Sequence, residues 1–320
     1  MKIVVLDGYT LNPGDLSWDA IEKLGDLQVY ERTSNVELLE RAKGATALFT
    51  NKVILSREVI NKLPELRYIG VMATGYNVVD LEAANSAAIT VTNIPAYSAD
   101  SVAQLVFSFI LNISNQLALH AASVREGAWT KSVDFSFTLS PQMELAGKTI
   151  GIVGFGKIGK KVAEIASAFG MKVIFQNRSL KKDVPDAYRQ VELEELIRTA
   201  DFISLNCPLM EENREFMNRD KFNQMKKGAV LINTGRGPLI NEQDLADALN
   251  SEKLAAAGLD VLSTEPPLKS NPLLTAKNCY ITPHIAWSTV EARKRLMEIL
   301  AANFEAYQAN NPQNVVNSPN

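Results

Sequence analysis

Three residues suited to proton and anion chemistry each stand just past a short apolar run: Arg236 after 229–232, Glu265 after 256–260, and His284 after 280–282. Arginine offers a planar fork of donors that fits a carboxylate and polarises a carbonyl oxygen. Histidine gives or takes a proton near neutral pH, and a glutamate on its second ring nitrogen fixes the tautomer and favours the charged ring. Together these types suffice to reduce a 2-oxo acid once a hydride donor is supplied. Each also has a plainer reading: a structural strand-end histidine, a phosphate-binding arginine between Gly235 and Gly237, a turn glutamate before Pro266 and Pro267. The only other histidine, His120, lies near the end of a long helical pattern, far from any glycine-rich loop. His284 is therefore the candidate acid and base.

A hydride donor is implied at mid-chain. Residues 149–153 read as a strand running into Gly154-Phe155-Gly156-Lys157-Ile158-Gly159, and then into a helical stretch closed by Gly170. In GxGxxG the first glycine allows a tight turn, the second lets a pyrophosphate approach the backbone, and the third lets the helix pack close to the strand. Free N–H groups and the positive end of the helix dipole then face the phosphates. A glycine-rich turn without a ligand shares the spacing, so the strand before and the helix after carry the weight. The next strand ends Gln176-Asn177-Arg178-Ser179, where an NAD site ordinarily holds an acid for the ribose 2′-hydroxyl. Asn177 replaces that acid and Arg178 can pair with a 2′-phosphate, so NAD and NADP are both candidate cofactors. Asn206-Cys207-Pro208 follows the strand at 202–205, where a wall for adenine or nicotinamide would stand, and Asp260 can accept a hydrogen bond from the nicotinamide carboxamide. Ala73-Thr74-Gly75-Tyr76-Asn77 follows another strand, and its N–H groups can form an anion nest for a carboxylate; the alternative is a plain loop.

Positioning these groups requires a sizeable framework. With 320 residues the chain is long for one core, so two domains are expected. Hydrophobic content of 46% and charged content of 22% are those of a globular protein, and a net charge of −3 without a basic cluster argues against a nucleic-acid surface. Residues 1–7 read as a strand rather than a signal peptide. The most apolar stretch, 102–111, is interrupted by Gln104 and Ser108, and reads as a buried helix rather than a membrane span. Cys207 and Cys279 form no metal or redox motif, and no metal is expected; a reducing, cytoplasmic setting fits. Strand-like and helix-like stretches alternate, which predicts parallel sheets flanked by helices. In the first part strands fall near 3–6, 46–49, 68–71 and 90–92, with helices at 36–43, 56–63 and 80–87, the last two capped by Ser56 and Asp80. A long helix is expected from Ser98 or Asp100 to about His120. Six further strands, at 149–153, 172–175, 202–205, 229–232, 256–260 and 280–282, match a complete doubly wound dinucleotide-binding unit, and 289–309 reads as a long helix. Residues 127–145, with Trp129, Phe135 and Phe137, read as an irregular excursion that either packs on a second subunit or is an ordinary loop.

At the residues quoted, the chain resembles the D-isomer-specific 2-hydroxyacid dehydrogenases over essentially its full length. The likeness rests on the glycine run at 154–159, Asn233-Thr234-Gly235-Arg236-Gly237, Gly258-Leu259-Asp260-Val261 with Glu265-Pro266-Pro267, and Thr282-Pro283-His284-Ile285-Ala286-Trp287. It implies an α/β fold of two domains, a Rossmann-type doubly wound sheet over 99–289 and a discontinuous flavodoxin-like substrate domain over 1–98 and 290–320. It implies that Arg236, Glu265 and His284 are catalytic and that Thr74 and Gly75 hold the substrate carboxylate. It also implies that Thr234, Arg236 and Asp260 border the nicotinamide, that Gly235, His284 and Ala286 belong to the cofactor site, and that the enzyme is a homodimer. Within the family, residues 6–15, 73–77 and 284–287 most resemble glycerate dehydrogenases (hydroxypyruvate reductases). A D-lactate-like or branched 2-hydroxy acid is the alternative substrate, and a nicotinamide-sensing binding protein the alternative class.

Overall fold

The computed structural model describes residues 1–182 and 184–318. They form two compact units, one of residues 1–98 with the chain from Ser288 onward, the other Ala99–Trp287. The second crossing thus falls between Trp287 and Ser288 rather than between 289 and 290.

The first unit begins β1 (Lys2–Val5), α1 (Asp19–Glu22), β2 (Asp26–Val29), α2 (Leu38–Ala42), β3 (Ala47–Thr50), α3 (Arg57–Asn61), β4 (Tyr68–Val71), α4 (Leu81–Ser86) and β5 (Thr90–Thr92). Its strands pair in parallel in the order β2-β1-β3-β4-β5, the flavodoxin-like order. Four of these strands follow from apolar runs. β2 does not, because its sequence Asp-Leu-Gln-Val sits at the sheet edge and is largely exposed. β3 and β4 are buried throughout, as central parallel strands covered on both faces must be. Val4, Leu48 and Ile69, of β1, β3 and β4, share one core with Leu38, Ile60 and Ala84 of the helices. Asp80 caps α4 by accepting the N–H of Ala83 at 2.8 Å.

The second unit opens with α5 (Ala99–Asn115) and α6 (Leu117–Arg125), then β6 (Thr149–Val153), α7 (Lys157–Ala168), β7 (Lys172–Gln176), β8 (Tyr188–Gln190), α8 (Leu193–Thr199) and β9 (Phe202–Leu205). α9 (Arg219–Gln224), β10 (Ala229–Asn233), α10 (Glu242–Asn250), β11 (Leu254–Leu259) and β12 (Cys279–Ile281) complete it. The all-parallel sheet runs β8-β7-β6-β9-β10-β11-β12, a doubly wound order that reverses between β6 and β9. The six expected strands are present. The seventh, β8, is a three-residue edge strand, Tyr-Arg-Gln, with no apolar signature. One face packs on α5 and α7 through Val106, Phe109, Ile110, Val162 and Ala166. The other packs on α8, α9 and α10 through Leu196, Phe222, Leu245 and Leu249.

The helix expected to continue unbroken to His120 instead breaks at Gln116, which is left-handed at φ 49°, and the chain bends by 56° into α6. Gln116 Nε2 donates to Tyr280 Oη at 2.6 Å, which anchors the break. His120 is structural: its Nδ1 lies 2.9 Å from Gln116 O, and its Nε2 accepts the N–H of Leu139 at 3.0 Å. Among the described residues no single helix is long and apolar enough to cross a membrane; only the bent α5–α6 pair reaches the required length and composition jointly.

The chain ends in the first unit with α11 (Val290–Gln308), capped by Thr289. Phe304 and Tyr307 of this helix pack on Phe49 and Tyr68 of β3 and β4, with ring centroids 4.8 to 5.5 Å apart. Buried Arg293 forks onto Asp15 at 2.7 and 2.6 Å and donates to Leu11 O at 3.0 Å, tying down the loop after β1.

At the amino-terminal edge of the second sheet, the Asp201 carboxylate accepts the Thr149 N–H at 2.8 Å and the Lys226 ammonium at 2.9 Å. Partial burial pushes this carboxyl up, but those two donors outweigh it and hold it below its ordinary 3.8. A lowered carboxyl pKa stabilises the fold above the unfolded value, and that contribution disappears as pH falls through the folded one. Asp201→Asn should therefore cost about 1–2 kcal/mol of unfolding free energy at pH 7. The gap from wild type should close below about pH 3 in acid-unfolding curves followed by circular dichroism.

Candidate active site

The turn after β6 is shaped by two glycines. Gly154 adopts φ 92°, and a Cβ there would lie 2.6 Å from Cys207 N; one on Gly159 would lie 2.2 Å from Gly154 O. Both contacts are with backbone, so no neighbouring side chain can give way. Gly156 is different: a Cβ there would meet nothing within 4 Å. Packing within the chain does not require a glycine at that position, whereas a pyrophosphate lying against the backbone does. Gly156 is also the N-cap of α7, a 12-residue helix with no side-chain cap, so the N–H groups of its first turn, including those of Lys157 and Ile158, face outward. The Phe155 side chain is buried and stacks on Phe175 at 3.9 Å between centroids, which leaves only its backbone near the turn.

Two further observations fit a dinucleotide. Among the described residues, Asn206 Oδ1 and Thr234 Oγ1, at the ends of β9 and β10, are buried without a hydrogen-bond partner in the chain. Buried polar atoms are almost always paired, so both are suited to a bound polar group. Asn177, at the end of β7, accepts the Phe155 N–H at 3.2 Å and donates to Ser179 O and Oγ at 3.0 and 3.1 Å. It is thus a brace for the glycine turn where an acid would otherwise stand. Arg178 beside it is exposed and lies 3.6 Å from exposed Glu212, a pairing that solvent weakens. Cys207 is half-buried, and burial raises its thiol pKa, which disfavours the reactive thiolate; Pro208 is exposed.

Arg236, Glu265 and His284 follow β10, β11 and β12, three adjacent strands, at the same carboxyl edge. His284 Nδ1–H donates to Glu265 Oε2 at 2.6 Å, and Glu265 Oε1 accepts the Leu262 N–H at 3.1 Å. The carboxylate is therefore oriented from behind, and Nε2 is left as the ring atom able to exchange a proton. Arg236 is exposed and donates to Gly235 O at 2.8 Å. Its turn is closed by buried Asn233, which donates to Arg236 O at 2.9 Å and accepts the Gly235 N–H at 3.0 Å.

Asp260 has a role that its sequence position did not reveal. It is 1% exposed, and both carboxylate oxygens serve the His284 loop: Oδ1 accepts Thr282 Oγ1–H at 2.6 Å and the Ile285 N–H at 2.8 Å, and Oδ2 accepts the Ala286 N–H at 2.8 Å. These bonds hold His284 at φ 55°, a left-handed conformation that costs about 1–2 kcal/mol outside glycine. Burial pushes the Asp260 carboxyl up while the three donors oppose it. Asp260 is thus a brace for the histidine loop, and with three of a carboxylate's roughly four acceptor positions filled it keeps capacity for one more donor. Its place directly after an apolar strand is the sequence signal, but the sequence does not say which partner it takes.

In the first unit, the loop after β4 presents two donors. Neither the Thr74 nor the Gly75 N–H donates within the described chain. Thr74 Oγ1 instead donates to Ile94 O at 2.8 Å, and the residue is exposed.

Comparison with known proteins gives this geometry its context. Residues 107–286 match the family model for the D-isomer specific 2-hydroxyacid dehydrogenase, NAD binding domain. A hydroxypyruvate reductase of Blautia hydrogenotrophica is 48% identical over 324 residues, covering 99% of this chain and 100% of its own. A glycerate dehydrogenase of Methylorubrum extorquens is 38% identical, covering 98% of each. Among solved structures, an acyclic imino acid reductase in complex with NADPH and D-Arg superposes with a TM-score of 0.86 at 33% identity, over 99% of this chain and 100% of that one. The chain belongs to the D-isomer-specific 2-hydroxyacid dehydrogenase family and is an NAD(P)-dependent oxidoreductase.

Proposed function

We propose that the protein is a glycerate dehydrogenase working as a hydroxypyruvate (glyoxylate) reductase, with the unit from Ala99 to Trp287 holding the dinucleotide and the other holding the substrate. The 2.6 Å bond between His284 and Glu265 carries this reading, because it leaves a proton-exchanging nitrogen on the same carboxyl edge as Arg236, with only the β11 end between them. The names of the two relatives, a hydroxypyruvate reductase and a glycerate dehydrogenase, support the substrate.

Bound NAD(P)H supplies the hydride. The first turn of α7 and Gly156 hold its pyrophosphate; Asn206, Cys207, Pro208, Thr234, Gly235 and Ala286 line its site. The Thr74 and Gly75 N–H groups bind the substrate carboxylate, and Arg236 binds the carboxylate and draws electron density toward the carbonyl oxygen. His284 Nε2 delivers a proton to that oxygen as it becomes the hydroxyl, and Glu265 balances the charge of the ring. In oxidation the same nitrogen removes the proton. Asn177 and Arg178 favour NADP(H), since no carboxylate repels a 2′-phosphate and Arg178 can pair with it.

A homodimer is also proposed. Val133 and Phe135 are 101% and 90% exposed on the excursion after α6, and Leu117 of α6 is 73% exposed, an apolar surface that a second copy would cover. A reducing, cytoplasmic setting is in keeping with two unpaired cysteines, Cys279 being pushed up to about 12 by burial.

His284→Ala should lower kcat for hydroxypyruvate by roughly 10²–10⁴-fold, and near-full activity would refute the assignment. Arg178→Asp should lower kcat/KM with NADPH by about 10-fold or more while sparing NADH; a wild-type enzyme strongly preferring NADH would contradict the cofactor assignment. Val133→Asp with Phe135→Asp should shift the sedimenting species from dimer to monomer, whereas an unchanged dimer would place the interface elsewhere.

A further inference from the structure

The carboxylate nest assigned above to Thr74 and Gly75 is braced from behind by asparagines. Asn93 Nδ2 donates to Thr74 O at 2.7 Å, and the Ile94 N–H donates to Ala73 O at 3.0 Å. A trans peptide directs its C=O and N–H to opposite sides. Tying the carbonyls of Ala73 and Thr74 toward residues 93 and 94 therefore turns the Thr74 and Gly75 N–H groups away from them. This is how two adjacent donors come to have no partner in the chain. Asn93 is itself fixed by two others. Its carbonyl accepts from Nδ2 of Asn303, a fully buried residue of α11, at 3.0 Å, and its N–H donates to Asn314 O at 3.1 Å. Asn314 Nδ2 in turn donates to Asn303 Oδ1 at 2.7 Å. The tail continues as an extra edge beside β5, where Thr92 bridges Val315 and the Val316 N–H donates to Val91 O at 2.9 Å.

We propose that Asn93 is a positioning residue for substrate binding, that it acts by orienting the 73–75 peptides, and that Asn303 and Asn314 hold it in register. Asn93, Asn303, Asn314 and residues 73–75 all lie in the first unit, so the assignment needs nothing from the dinucleotide-binding unit. It rests on the nest reading of Thr74 and Gly75, and the test separates the two.

Steady-state kinetics with hydroxypyruvate and glyoxylate would be measured on Asn93→Asp, Asn303→Ala and Gly75→Pro, with melting temperatures as a check on folding. Asn93→Asp sets an acceptor against the Thr74 carbonyl in nearly the same volume. It should raise KM for both substrates by roughly 10–100-fold, the equivalent of one or two charge-assisted hydrogen bonds. Its kcat should stay within about threefold, because the residue acts on binding and not on the proton, and KM for the reduced cofactor should not move. Asn303→Ala should shift KM the same way by about 3–10-fold, as expected of a partner one bond further back. A folded Asn93→Asp enzyme with wild-type KM would overturn the proposal, as would parallel losses in kcat, cofactor KM and melting temperature. Gly75→Pro deletes one nest donor: an unchanged KM there would remove the nest itself, while a raised KM beside a normal Asn93→Asp would keep the nest and reject the brace.

Discussion

Every strand in both sheets runs parallel, and that constraint decides where the rest of the molecule can place its chemistry. A parallel sheet needs a crossover between successive strands, so helices cover both faces and the strand interiors become almost wholly apolar. Polar residues of consequence are then displaced to the loops at the carboxyl edge. In the second unit this brings the ends of β6, β9, β10, β11 and β12 to one rim, carrying the glycine turn, Asn206, Arg236, Glu265 and His284 in turn. The winding reverses between β6 and β9, and the Gly154 turn and the Cys207 backbone approach there so closely that a single Cβ would not fit. The first unit reverses between β1 and β3, where Asp7 accepts the N–H groups of Asn51, Lys52 and Val53.

Within that frame the site is a set of braced side chains. Glu265 orients His284 and is itself held by Leu262; Asp260 holds the histidine loop in a strained left-handed turn; Asn233 closes the arginine turn. Asp260 and Asn233 are buried, and each brace makes more than one bond, so the side chains they hold are set in place in advance. Preorganisation of this kind reduces the reorganisation needed at the moment of reaction. The unpaired Thr74 and Gly75 N–H groups and the buried Thr234 and Asn206 oxygens show the complementary feature: groups held ready without an internal partner.

Much of this was legible in the chain because the signals were local. GxGxxG between a strand and a helix, apolar runs of four or five residues, and polar residues directly after them need no long-range knowledge. β2 and β8 escaped because edge strands with sequences such as Asp-Leu-Gln-Val and Tyr-Arg-Gln bury too little to show a period. The break at Gln116 escaped because it is anchored by Tyr280, a residue 164 positions away. Asp260 was placed at the correct edge, but its bonds to the His284 loop were not foreseen, since spacing cannot show that a carboxylate braces its own loop. The linked asparagines 93, 303 and 314 carry no signal in the sequence that joins them. Their meaning appears when α11 and the tail return to the first unit.

The central claim is that Glu265 fixes the His284 ring with the proton on Nδ1, leaving Nε2 for the substrate. The chain has only two histidines, so imidazole nitrogens labelled with ¹⁵N can be assigned directly by comparing wild type with His120→Gln. At neutral pH the His284 Nδ1 resonance should be of the protonated type, and Glu265→Gln should shift it strongly while leaving His120 unmoved. A pyridine-type Nδ1 on His284 in the wild-type enzyme, or a spectrum indifferent to Glu265→Gln, would contradict the account.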